Sequence, residues 1–123
     1  MTDSNESPTS NEDRYKRVWS VVAGIPPGCV LNYGEIARLA GLPGRARMVG
    51  RALGLAPKKM KLPWHRVVNA QGQISFKSGS AKHRRQRELL EAEGVEFEQG
   101  SIDLERHAPS RALDRMLWGP ETG

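Results

Sequence analysis

Residues 32–54 read Asn32-Tyr33-Gly34-Glu35-Ile36-Ala37-Arg38-Leu39-Ala40-Gly41-Leu42-Pro43-Gly44-Arg45-Ala46-Arg47-Met48-Val49-Gly50-Arg51-Ala52-Leu53-Gly54. Asn32 is an N-cap residue with Glu35 three positions on, a variant of the capping box, and Ile36, Ala37, Leu39 and Ala40 follow as a short apolar face. Gly41-Leu42-Pro43-Gly44 then breaks the chain, since glycine accepts left-handed backbone and proline cannot continue a helix. A further helix is predicted from about Arg45 to Leu53, where Val49, Ala52 and Leu53 share one face. On the opposite side, at about 100° per residue, Arg47, Gly50, Arg51 and Gly54 project within one arc. Each helical glycine costs about 1 kcal/mol against alanine, so two arginines over a glycine-thinned surface imply close approach to something. Short helix, glycine turn, short basic helix is the outline of a helix-turn-helix.

Upstream, Tyr15, Val18, Trp19 and Val22 fall at i, i+3, i+4 and i+7 and predict a first helix from Arg14, ended by Gly24-Ile25-Pro26-Pro27-Gly28. Residues 1–12 hold no apolar residue after Met1 and are expected to be a disordered acidic tail. Downstream, Leu62-Pro63-Trp64-His65-Arg66-Val67-Val68, the turn Asn69-Ala70-Gln71-Gly72 and Gln73-Ile74-Ser75-Phe76 read as a small hairpin or wing. A helix is predicted from Ala81 to Glu93, with Leu89, Leu90 and Ala92 apolar and Gly94 as its stop. Lys82, Arg84, Arg85 and Arg87 crowd its N-terminal half, against the helix dipole, which an anionic partner explains better than helix stability does. Val95 to Phe97 and Ile102 to Leu104 are candidate short strands, and apolar residues between Leu113 and Pro120 can fold back on the domain. The expected fold class is mainly α with a small β-hairpin, winged helix-turn-helix-like over residues 13–98, with 99–123 as a C-terminal extension.

A chain of 123 residues, 37% hydrophobic, suffices for one domain with a modest core. No run approaches the roughly 20 apolar residues of a membrane span, and the polar, acidic start is unlike a signal peptide, so a cytoplasmic protein, nucleoid-associated in a bacterium, is expected. Cys29 is the single cysteine, which excludes an internal disulfide or a cysteine-rich zinc site. His65, His83 and His107 lack companions at zinc spacing, and there is no phosphate-binding glycine loop for a nucleotide. No metal or other cofactor is expected.

The net charge of +5 conceals a sharper division. Residues 1–13 carry four acids and no base, −4; residues 14–87 carry 16 Lys and Arg against Glu35 alone, +15; residues 88–123 carry nine acids and three bases, −6. Such a middle attracts a polyanion, and nucleic acid is the leading candidate over an anionic membrane or an acidic protein.

Three segments taken together carry a resemblance. They are Ile25-Pro26-Pro27-Gly28 with Tyr33-Gly34-Glu35-Ile36-Ala37, then Arg47-Met48-Val49-Gly50, then Pro63-Trp64-His65-Arg66-Val67-Val68 with Glu93-Gly94. Their order and spacing resemble the DNA-binding domain of the alkylguanine-DNA alkyltransferases, from about Val18 to Phe97. In that family a Pro-Cys-His-Arg-Val segment supplies the thiolate that removes the alkyl group from O6 of a flipped-out guanine. Here the cysteine position is Trp64, and an indole is no alkyl acceptor. The sequence is therefore similar to the alkyltransferase-like proteins, which also lack the amino-terminal domain of many true alkyltransferases. The resemblance implies a monomeric, non-enzymatic DNA damage sensor with no catalytic residue. It would bind O6-alkylguanine in duplex DNA by base flipping and pass the lesion to nucleotide excision repair proteins.

Roles follow from the resemblance at matching positions. Arg47 corresponds to the arginine finger that fills the gap left by the extruded base, with a plain phosphate contact as the alternative. Tyr33 corresponds to the tyrosine crowding the phosphate beside the flipped nucleotide, or is a half-buried aromatic at a helix start. Gly50 suits minor-groove approach, Arg51 is bulkier than the family's usual small residue and can reach a phosphate, and Arg45 joins them on the DNA side. Trp64 is expected to line the lesion pocket with Tyr33, His65, Val67, Val68 and Phe76, the alternative for the indole being core filler. His65 and Glu93 correspond to residues that help activate the missing thiol and are expected to remain as a structural hydrogen-bond network. Two positions depart from the pattern: Ala56 stands where asparagine is usual, and Phe76-Lys77-Ser78-Gly79-Ser80 replaces a tyrosine-containing glycine-rich loop. The second leaves Lys77 as a phosphate contact or a pocket wall. Competing functions are a general helix-turn-helix DNA-binding or regulatory protein without lesion preference, and an active alkyltransferase using Cys29.

Overall fold

In the computed structural model, which describes residues 11–109, helix α1 (Asn11–Ala23) buries Val18 and Val22. These are two of the four residues in the predicted stripe. The expected tail is shortened at its end, because Asn11 and Glu12 belong to α1. Glu12 and Asp13 occupy the first turn, where the helix dipole favours negative charge, and Glu12 lies 3.6 Å from Lys16 one turn on. Residues 1–10, which make up most of that tail, lie outside the described residues, as does the apolar stretch between Leu113 and Pro120.

The described chain forms two compact units. The first joins α1 to residues 33–64, with α2 (Tyr33–Leu39) and α3 (Ala46–Leu55). Its core is Val18, Val22, Ile36, Ala37, Ala40, Leu42, Met48, Val49 and Ala52. The glycine turn between α2 and α3 has a defined form: Leu42 N donates to Ala37 O at 2.8 Å and Gly41 N to Arg38 O at 3.1 Å, with Gly41 at φ 79°. These are the two bonds of a Schellman motif, and they require the left-handed conformation glycine adopts freely. Leu39, expected on the apolar face, is instead 53% exposed. The buried stripe is narrower, with Ile36, Ala37 and Ala40 filling it and Leu39 falling outside their arc.

A side-chain bond also fastens α1 to α3. Trp19 Nε1 donates to Ala52 O at 2.7 Å. Ala52 lies in the last turn of α3, where carbonyls have lost their helical partners, and Ala56 N turns instead to Leu53 O.

The second unit comprises residues 25–32 and those from His65 onward. Strands β1 (Leu31–Asn32) and β2 (Val67–Val68) pair in parallel, with Leu31 opposite Val67 and Asn32 opposite Val68. Helix α4 (Ala81–Ala92) begins at Ser80, whose hydroxyl accepts from His83 N at 3.2 Å. It ends in a second Schellman motif, with Val95 N on Leu90 O and Gly94 N on Glu91 O, both at 3.0 Å. Leu90 and Val95 are thereby placed in one apolar cluster with Val30, Val68 and Ile102.

The wing expected over residues 62–76 is corrected. Val67–Val68 pairs with β1, and the segment from Gln73 to Phe76 forms no strand. Asn69 N donates to Gln73 O at 2.9 Å, but the return bond is lost: Gln73 N goes to the Asn69 side-chain oxygen, also at 2.9 Å, and the Asn69 carbonyl accepts from Gly72 N instead. The antiparallel hairpin lies further on, between β3 (Phe97–Glu98) and β4 (Ser101–Ile102). Its two-residue loop has Gln99 at φ 53° and Gly100 at φ 83°, the double positive φ of a type I′ turn. The strands predicted at 95–97 and 102–104 are thus shorter and closer to the turn. A boundary between residues 98 and 99 cuts this hairpin, and residues beyond it are tied in by further bonds, among them Ile102 N to Gly72 O at 2.8 Å and Val30 N to His107 O at 2.9 Å. Among the described residues no helix is long and apolar enough to cross a membrane.

Candidate nucleic-acid interface

In the first unit, α3 presents the predicted face. Arg47, Gly50, Arg51 and Gly54 are all exposed, as is Arg45 at the helix start. A methyl group built on Gly50 or Gly54 would meet nothing within 4 Å, so the fold itself does not need glycine there. Met48, Val49 and Ala52 hold the other side of the helix in the core, which orients the arginine face outward. Tyr33 opens α2 and is half-buried. Beyond α3 the chain makes a 3-10 turn at Lys58–Met60, where Lys58, Lys59 and the left-handed Lys61 are exposed. These lysines extend the cationic surface of this unit, a contribution visible in the sequence only as a basic run. Trp64, half-buried, starts the 3-10 turn Trp64–Arg66, its backbone N–H donating to Leu62 O at 2.8 Å.

The second unit brings His65 and Glu93 together. His65 Nε2 lies 2.8 Å from Glu93 Oε2, and since an ionised carboxylate only accepts, the ring nitrogen donates. Two further partners were not foreseen. Arg66 Nη2 donates to Glu93 Oε2 at 2.6 Å and Nε to Oε1 at 3.0 Å, while Gly28 N donates to Oε1, also at 3.0 Å. Arg66 Nη1 completes the set on Ile25 O at 2.7 Å. Burial alone would raise the Glu93 carboxyl; the Arg66 bonds, then the Gly28 N–H, then His65 outweigh it and hold the group at about 2, below its ordinary 4.5. One carboxylate thus fastens the Ile25-to-Gly28 loop, the segment after Trp64 and the end of α4.

Gln86 is the other unforeseen member. It is 1% exposed, and Nε2 donates to His65 O and Val67 O, both at 2.9 Å, fixing the backbone on either side of Arg66. Its position was readable: it precedes Leu89 and Leu90 by three and four residues, so a polar side chain occupies the apolar phase of α4.

Val67 and Val68 are removed from the expected pocket lining. They are 2% and 0% exposed, committed by the β1–β2 pairing to the interior, and present no surface to a ligand. Phe76 keeps 36% of its surface, with Lys82 Nζ 5.3 Å from its ring centre, and Lys77 beside it is exposed.

Known proteins resemble this chain in sequence and in fold. The family model of the 6-O-methylguanine DNA methyltransferase DNA-binding domain matches residues 13–95. The DNA base-flipping protein of Vibrio parahaemolyticus is 49% identical over 92 residues, 74% of this chain and 90% of that protein. Alkyltransferase-like protein 1 of Schizosaccharomyces pombe is 45% identical over 74% of this chain and 84% of its own length. The crystal structure of S. pombe Atl1 in complex with damaged DNA containing O6-carboxymethylguanine superposes with a TM-score of 0.69 at 41% identity, covering 79% of this chain and 94% of that one. With the exposed arginine face of α3 and the Pro63-Trp64-His65-Arg66 segment in place, the chain belongs to the family of the 6-O-methylguanine DNA methyltransferase DNA-binding domain.

Proposed function

We propose that this protein is a non-enzymatic sensor of O6-alkylguanine in duplex DNA, which extrudes the modified base and marks it for nucleotide excision repair. The observation that carries this reading is the Trp64 of Pro63-Trp64-His65-Arg66-Val67, a segment whose resemblance to Pro-Cys-His-Arg-Val puts an indole, which is no alkyl acceptor, in place of the enzymes' thiolate. The remaining thiol, Cys29, is 5% exposed, and buried cysteines are poor nucleophiles. Arg47, exposed on the glycine-thinned face of α3, is the side chain to enter the base stack, with Arg45 and Arg51 on flanking phosphates. Tyr33, Trp64, His65 and Phe76 are the residues to contact the extruded nucleotide, and Lys77 a phosphate beside it. The Glu93 network, which in an enzyme would serve a thiol, here holds His65 and Arg66, the two residues that follow Trp64 in the chain.

A fluorescence titration at fixed, near-physiological salt tests the reading, comparing a duplex with one O6-methylguanine to the same duplex with guanine. Tighter binding of the modified duplex, with the preference reduced by Arg47→Ala, is expected. Equal affinity for both duplexes would leave a general helix-turn-helix DNA binder instead.

A further inference from the structure

Helix α4 carries its charges in the order that its own dipole disfavours. Lys82, Arg84 and Arg85 lie in its first half and Glu88 and Glu91 in its second, with no acid in the first turn and no base in the last. Arg87 is explained within the protein: Nε lies 3.1 Å from Glu91 and the guanidinium 4.6 Å from the Phe97 ring centre. Arg84 and Arg85 are not. Both are exposed, and among the described residues neither is ion-paired to a carboxylate, although Glu88 is only four and three residues away. Lys82 is likewise exposed, resting over Phe76. The helix beneath them is rigid: Gln86 and Leu90 are buried, Ser80 caps its start and the Schellman motif closes its end. None of the three is neutralised by a carboxylate among the described residues, and the Arg84 and Arg85 side chains make no hydrogen bond or ring contact there.

We infer that Lys82, Arg84 and Arg85 form a second binding surface for the phosphate backbone of nucleic acid, in addition to α3 and carried by the other unit of the chain. The inference rests on the DNA-binding reading above. It assigns no base recognition to α4, because arginines meeting phosphates add affinity without reading sequence or lesion. The acids in the second half of the same helix repel phosphates and end the surface within two turns.

The test uses the full-length protein with Arg84→Gln and Arg85→Gln combined, titrated against the O6-methylguanine and guanine duplexes over a fourfold range of salt. Each lost phosphate contact lowers the slope of log K against log salt by about 0.9. The double variant is therefore expected to lose about two units of slope, so that its deficit against wild type shrinks roughly tenfold from the lowest to the highest salt. Both duplexes should weaken alike, leaving the lesion preference unchanged. Thermal unfolding separates this from misfolding, because the exposed Arg84 and Arg85 side chains carry no contact in the fold and the double variant should keep the wild-type melting temperature while its affinity falls. An unchanged salt slope would overturn the inference and leave these arginines to another partner, such as an acidic protein. If the wild type shows no lesion preference, the sensor reading fails, yet the change of slope still decides the role of α4.

Discussion

Arg66 Nη2 lies 2.6 Å from Glu93 Oε2, and the two side chains are only 15% and 17% exposed. Their pairing predicts an acid transition. Glu93 is held at about 2 against its ordinary 4.5, so the unfolded chain takes up a proton first as pH falls. The stabilisation is fully present above about pH 4.5 and is lost between there and pH 2, amounting to about 3 kcal/mol. Glu93→Gln would leave Arg66 buried without its counter-charge, a loss of about 3–5 kcal/mol at neutral pH. Melting temperatures from pH 7 to pH 2 should show the variant far below wild type at pH 7, with the gap closing at the acid end. A gap that stays constant across that range would contradict the assignment.

Trp19 predicts a smaller loss in the other unit. Trp19→Phe keeps an aromatic ring beside Tyr15, whose ring centre is 6.4 Å away, but leaves the Ala52 carbonyl in the last turn of α3 without its indole donor. A cost of about 1–2 kcal/mol is expected, read as a lower urea midpoint with an unchanged denaturant slope. No change in the midpoint would mean that water replaces the indole at no cost.

The helices were legible because their signals are local. The stripe containing Val18 and Val22, the glycines at 41 and 94 and the arginine face of α3 each depend on residues within a turn or two of one another. The β1–β2 pairing was not legible for the opposite reason: the two strands are two residues long and parallel, so 36 positions separate Leu31 from Val67 and no turn advertises the match. At the site, the bond between His65 and Glu93 was expected from family resemblance. Arg66, although inside the same motif, had no assigned partner because a basic residue in a basic segment looks like another phosphate contact. Burial of Val67 and Val68 follows from that same non-local pairing, which is why the pocket lining drawn from the motif alone included them.

Gly50 yields a prediction in which stability and function move in opposite directions. An alanine Cβ there would meet nothing within 4 Å inside the protein, so Gly50→Ala should stabilise α3 by about 1 kcal/mol and raise the melting temperature by roughly 4–8 °C. The same methyl group projects from the face that carries Arg47 and Arg51. Where that face lies against the sugar-phosphate walls of a groove, an added carbon forces the surfaces apart, at about 1 kcal/mol or more, roughly fivefold in affinity. The pair of measurements is decisive together. Higher stability with weaker binding to both duplexes places the DNA directly on α3 at Gly50, whereas higher stability with unchanged binding would show that this face never comes into close contact and that the glycine serves neither the fold nor the complex.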